Sequence, residues 1–176
     1  MMNGNHAFKQ ESAQGKVNED YLRVYVEDKS GWSIDGKNRN TDVGIKYTAN
    51  YSDLNDIPLS NLDKSVHWDF VFETLQDDKV VPIFFDCKST GCASKDATDI
   101  ALKAQCFRNK FPNCEIHLIY NGLKDKYWSQ LDKLVDSGLI TSYSTDGLGD
   151  EIFDMIFKDK TILEPNINKF FYSQDL

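Results

Sequence analysis

The chain has 176 residues, 40% of them hydrophobic and 12% aromatic, which suits one folded domain with its own core and excludes a disordered chain. Its formal net charge of −8 argues against a simple electrostatic nucleic-acid binder. No apolar run approaches the roughly 18 residues that span a membrane, and residues 1–14 lack the apolar stretch of a secretory leader.

An intracellular protein, cytoplasmic or at the nucleoid, with no membrane partner is therefore expected. The thiols of Cys87, Cys92, Cys106 and Cys114 are expected to be reduced. Their spacings match zinc knuckles poorly, so buried free thiols are expected rather than a zinc site. The whole chain reads as one domain, with a core over about residues 11–145, then a C-terminal helix and an aromatic tail over 150–176.

Residues 8–26 predict a helix, with Val17, Tyr21, Val24 and Tyr25 as an apolar stripe at three- and four-residue spacing. Glu19 lies among them, either as a solvated surface group or as an acid aimed at a site. Gly31 ends the helix. Short strands are expected at 32–34 and 43–47, around a turn-rich loop that carries Lys37 and Arg39. Residues 48–64 read as a long polar loop.

Two runs rich in aromatic and β-branched residues follow, at 66–73 and 80–88, joined by a short polar break. They predict an antiparallel hairpin. A helix is expected from Ser94 or Asp96 to Lys110, with Ala97, Ile100, Ala101, Ala104 and Phe107 on its apolar face. A mostly apolar strand at 114–120 comes next, and the strand–helix–strand order predicts a parallel pairing. A helix at 127–137, a strand at 139–143 and a short helix at 150–157 complete the chain. The aromatic tail (Phe170, Phe171, Tyr172) suggests docking on the body or on another subunit.

Three charges stand out in the hairpin: Asp69 in the first strand, Asp86 and Lys88 in the second. A buried charge is costly unless it is paired or binds a metal. Side chains alternate along a strand, so Asp86 and Lys88 share a face while Phe85 and Cys87 take the other. Asp69 can lie opposite on the neighbouring strand. Two carboxylates and a lysine at one spot suit a divalent cation with a proton carrier beside it; the alternative is a structural ion pair at a strand end. The segment 87–126, with seven basic and four acidic side chains, is the one net-basic stretch and begins at this tripeptide.

The order of a helix with Glu19, a strand with Asp69, a strand with Asp86-Cys87-Lys88, a helix with Gln105 and a further strand resembles the PD-(D/E)XK nuclease superfamily. The likeness covers roughly residues 11–122. The proline of the family motif is missing, because His67-Trp68 precedes Asp69. The resemblance implies a restriction-endonuclease-like α/β fold, a three-layer α/β/α core with a mixed central sheet. It also implies a divalent-metal-dependent endonuclease cutting DNA, of restriction, homing or repair type.

On that reading Asp69, Asp86, the Cys87 backbone carbonyl and Glu19 hold Mg²⁺, with Mn²⁺ able to substitute. Lys88 orients or deprotonates the attacking water, and Gln105 positions Lys88 or the water. Lys37, Arg39, Lys95, Lys103 and Arg108 are the expected nucleic-acid contacts. Double-stranded DNA and a homodimer or higher homo-oligomer are the expected partners. The competing function is a non-catalytic nucleic-acid-binding or assembly module that retains the fold.

Overall fold

The computed structural model describes residues 4–34, 41–46, 65–88, 91–146 and 149–165. In chain order these form α1 (Gly4–Ser30), β1 (Thr41–Lys46), β2 (Ser65–Gln76), β3 (Lys79–Lys88), α2 (Ser94–Lys110) and β4 (Glu115–Tyr120). A 3₁₀ turn then leads into α3 (Trp128–Asp136), β5 (Ser142–Ser144), α4 (Asp150–Ile156) and β6 (Thr161–Ile162). The architecture is mixed α/β. Among the described residues, no helix is long and apolar enough to cross a membrane.

The sheet runs β1-β2-β3-β4-β5, with β6 added alongside β2. Pairing is antiparallel from β1 to β3 and parallel from β3 through β5. The hairpin expected from sequence is present. Its turn is Asp77-Asp78, with φ of 47° and 64°, closed by the pair Gln76↔Lys79. Positive φ at both central positions matches the strand twist, and aspartate tolerates that region better than most residues. Pro82, which has no N–H, comes just before Ile83, the first residue that β4 pairs.

Alternation along β3 divides its side chains between two cores. Phe84 joins Trp68, Val71, Phe107, Ile116 and Leu118 on the face covered by α2 and α3. Ile83, Phe85 and Cys87 join Phe70, Phe72, Leu22, Val26 and Phe157 on the face covered by α1 and α4. Both faces of β3 and β4 are therefore covered, which is why these strands read as continuous apolar runs. All four cysteines are buried free thiols, as expected.

Four expectations need correction. Residues 32–34 form no strand: Ile34 enters the core from irregular backbone, and its N–H donates to Glu27 Oε1 at 2.9 Å. The buried stripe of α1 is Asn18, Leu22 and Val26, whereas Val17 and Val24 are 49% and 55% exposed. The last main strand covers Ser142–Ser144 rather than 139–143. The two-residue β6 was not expected; its register against Thr74 and Leu75 is fixed by the partner strand. Lys37, Arg39, residues 48–64 and the aromatic tail lie outside the described residues.

Candidate functional site

The site forms where β2 and β3 part. Their register runs from Gln76↔Lys79 to Phe70↔Phe85. The next pair in that register is Asp69 and Asp86, on the face shared by Val71 and Phe84. Trp68 leaves the alternation and packs against Phe107 of α2, with ring centroids 5.6 Å apart. With the ladder ended, Asp69 Oδ2 accepts the Cys87 backbone N–H at 2.7 Å. A side-chain hydrogen bond joins Asp69 to Asp86.

Asp86 is 4% exposed. Its Oδ2 meets two ammonium groups, Lys88 Nζ at 2.8 Å and Lys103 Nζ at 2.6 Å. Lys103 reaches it from α2, with its ammonium 4.1 Å from the centre of the Trp68 ring. The cation thus gains a carboxylate and an aromatic face in exchange for its water. The side chain of Lys88 is 34% exposed, so part of it reaches solvent at the strand end.

These contacts separate the two carboxyl groups. Burial and the neighbouring Asp86 charge push Asp69 up to about 8, so near neutral pH it carries a proton to share with Asp86. Burial pushes Asp86 upward too, but the charges of Lys103 and Lys88 outweigh it and hold Asp86 well below the usual carboxylate range. Burial depresses Lys103 below an ordinary lysine. For Lys88 the Asp86 charge and hydrogen bond overcome burial, and its pKa rises.

Asp69, Asp86 and Lys88 are therefore brought together, and Cys87 faces the opposite core as expected. Glu19 is near enough for its charge to act on both carboxyl groups. Its ion pair is with Lys16, at 3.9 Å. The adjacent Asn18 is fully buried; its Nδ2 lies 3.4 Å from the Lys88 carbonyl, and its Oδ1 has no hydrogen-bond partner.

Gln105 does not join the group; its amide donates to Asn109 Oδ1 at 2.9 Å. Two positions along a helix turn a side chain by about 200°, so Lys103 points in where Gln105 cannot. Arg108, expected at nucleic acid, instead braces its own core: Nε donates to the Leu139 carbonyl at 2.7 Å and Nη1 to the Cys114 carbonyl at 3.1 Å. Lys95 is exposed in the first turn of α2. Lys103, also expected at nucleic acid, instead pairs with buried Asp86, a role that sequence reasoning missed together with that of Trp68. The one available signal was an aromatic beside Asp69, followed by a lysine set between the apolar Leu102 and Ala104 of α2.

Among the described residues, no group of three His, Cys, Asp or Glu side chains is placed to hold a metal ion. The donor set still suits Mg²⁺, which typically takes one or two carboxylates and keeps several waters. Asp69, Asp86 and the Cys87 carbonyl offer hard oxygen donors, and a carboxyl pair holding a shared proton is one that a cation can replace.

The chain matches no protein-family model, no curated protein and no solved structure.

Proposed function

We propose that the chain is a divalent-metal-dependent endonuclease of the PD-(D/E)XK type, hydrolysing phosphodiester bonds of DNA. One observation carries this reading: Asp69, Asp86 and Lys88 converge where the β2–β3 ladder opens. Asp69 and Asp86 would hold Mg²⁺ or Mn²⁺ with the Cys87 carbonyl. A cation there lowers the pKa of a bound water and offsets phosphate charge. Lys88, whose ammonium pairs with Asp86 at the partly exposed strand end, would orient a water and stabilise negative charge on the phosphate. Lys103 holds Asp86 ionised. The mixed sheet with helices on both faces is compatible with a restriction-endonuclease-like core. Cutting both strands calls for two such sites, hence a homodimer.

A second reading, a binding or assembly module without catalysis, draws on the same oxygen. Asp86 with two lysines is a complete buried ion cluster that needs no metal. Incubating the pure chain with supercoiled plasmid, linear duplex and RNA in Mg²⁺ or Mn²⁺ separates the two. The nuclease reading expects metal-dependent nicking of DNA that disappears in Asp86→Ala. Equal nicking by wild type and variant, or none by either, sinks it. Cleavage of RNA alone would replace the substrate and keep the chemistry.

A further inference from the structure

Of the α1 stripe that the sequence singles out, Tyr21 and Tyr25 pack against α4, while Val17 and Val24 stay exposed among the described residues. Val17, Tyr21, Val24 and Asp28 follow a four-three-four spacing, the seam along which one helix receives another. This seam opens into a groove of about 730 Å³ between α1 and α4. From Val17 to Lys29 the groove follows α1 for about 18 Å, or roughly three helical turns.

The walls of the groove are acidic. Asp20 and Asp28 come from α1, Asp150 and Asp154 from α4, against one cation, Lys29. Asp20 is partly offset by Lys16 at 3.3 Å and Arg23 at 3.5 Å. The two α4 carboxylates are held by tyrosine hydroxyls: Tyr21 donates to Asp150 at 2.7 Å, and Tyr25 donates to Asp154. A neutral hydroxyl orients a carboxylate without cancelling its charge, so both carboxylates stay fixed and negative at the rim. Tyr25 also packs its ring on Phe153 and Phe157, which makes the floor rigid.

We propose that this groove docks a basic amphipathic helix of a partner protein, with aliphatic side chains on Val17 and Val24 and flanking lysines or arginines on Asp28, Asp150 and Asp154. Both halves of the surface need an occupant of that kind. The exposed valines call for an apolar stripe, and the fixed carboxylates call for cations beside it. A second copy of this face would set carboxylate against carboxylate, and DNA would be repelled by it. The inference does not rest on the nuclease reading.

The test uses the full chain and a labelled amphipathic peptide of about three helical turns, leucines along one stripe and lysines flanking it. Fluorescence anisotropy at physiological salt reads its affinity for wild type and three variants. Asp150→Asn/Asp154→Asn removes two groove charges but keeps acceptors for both tyrosines. Val24→Lys changes an exposed seam residue. Asp77→Asn/Asp78→Asn removes the same charge from the hairpin turn. Saturable binding that weakens at least about tenfold in the first two variants and stays within about twofold in the third is expected. Equal loss in both double variants, no saturable binding by wild type, or a wild-type dimer that Val24→Lys dissociates would overturn the proposal.

Discussion

Lys103 Nζ lies 2.6 Å from Asp86 Oδ2, although one residue sits on a helix and the other in a central strand. Because Lys88 meets the same oxygen, the buried carboxylate has two cations. Removing one partner of a buried ion pair leaves an uncompensated charge. Lys103→Met, which keeps the volume and the contact with Trp68, is expected to lower stability by about 1–3 kcal/mol in urea unfolding, below the cost of an isolated pair because Lys88 remains. No loss would mean that Lys103 contributes nothing to holding Asp86 ionised.

Asp69 both accepts the Cys87 N–H and shares a hydrogen bond with Asp86. An asparagine can do both, with its oxygen toward Cys87 and its amide toward Asp86. Asp69→Asn is therefore expected to unfold within about 1 kcal/mol of wild type, while losing Mn²⁺ binding in a calorimetric titration. Asp69→Ala, which leaves the Cys87 N–H without that acceptor, is expected to lose stability as well. Wild-type Mn²⁺ affinity in Asp69→Asn would remove Asp69 from the ligand set.

A second polar cluster sits at the start of β4 and is structural. Glu115 accepts from Gln76 at 2.8 Å and Lys160 at 2.9 Å, and His117 lies between Glu115 and Ser142. Burial acts to raise Glu115, but the bonds from His117, Gln76 and Lys160 win and hold it down to about 2. A carboxylate lowered in the folded state adds stability above its unfolded pKa of 4.5, and this stability drains away as pH falls from there toward 2. His117, lowered chiefly by burial, adds a loss of the same sign that begins as pH falls below the ordinary histidine value of 6.5. Glu115→Gln should lower stability at neutral pH by about 1–3 kcal/mol and flatten the acid limb of the stability curve. An unchanged acid limb would place the acid sensitivity elsewhere.

The hairpin turn gives a backbone prediction. Asp78 has φ of 64°, a conformation that glycine adopts without a Cβ penalty. Asp78→Gly is expected to raise stability by about 0.5 kcal/mol, the strain relieved slightly exceeding the added chain entropy. Asp78→Val should lower it by about 1–2 kcal/mol, because a β-branched residue fits that region worst. The order of the two urea midpoints checks this; Val above Gly would contradict the turn geometry.

The central strands were legible because both of their faces are buried, so an unbroken apolar run has one reading. The three charges were legible for the same reason: in such a run a charge is conspicuous. Helix α1 was harder, because Val17/Tyr21/Val24 and Leu22/Val26 are two stripes of the same spacing on one helix. Only packing on the sheet selects the second, and the first became the groove. Lys103 read as a cation free to meet nucleic acid, since nothing local says that Asp86 lies beneath it. Ile34 resembled a strand residue because burial, not pairing, was what its side chain required.

The nuclease reading stands most directly on Lys88. The decisive measurement is single-turnover DNA cleavage by Lys88→Ala, with Mn²⁺ binding followed on the same sample. The account predicts that Mn²⁺ still binds, since Asp69 and Asp86 remain, while the cleavage rate falls by about 10²-fold or more. Cleavage at the wild-type rate with Mn²⁺ bound would contradict it.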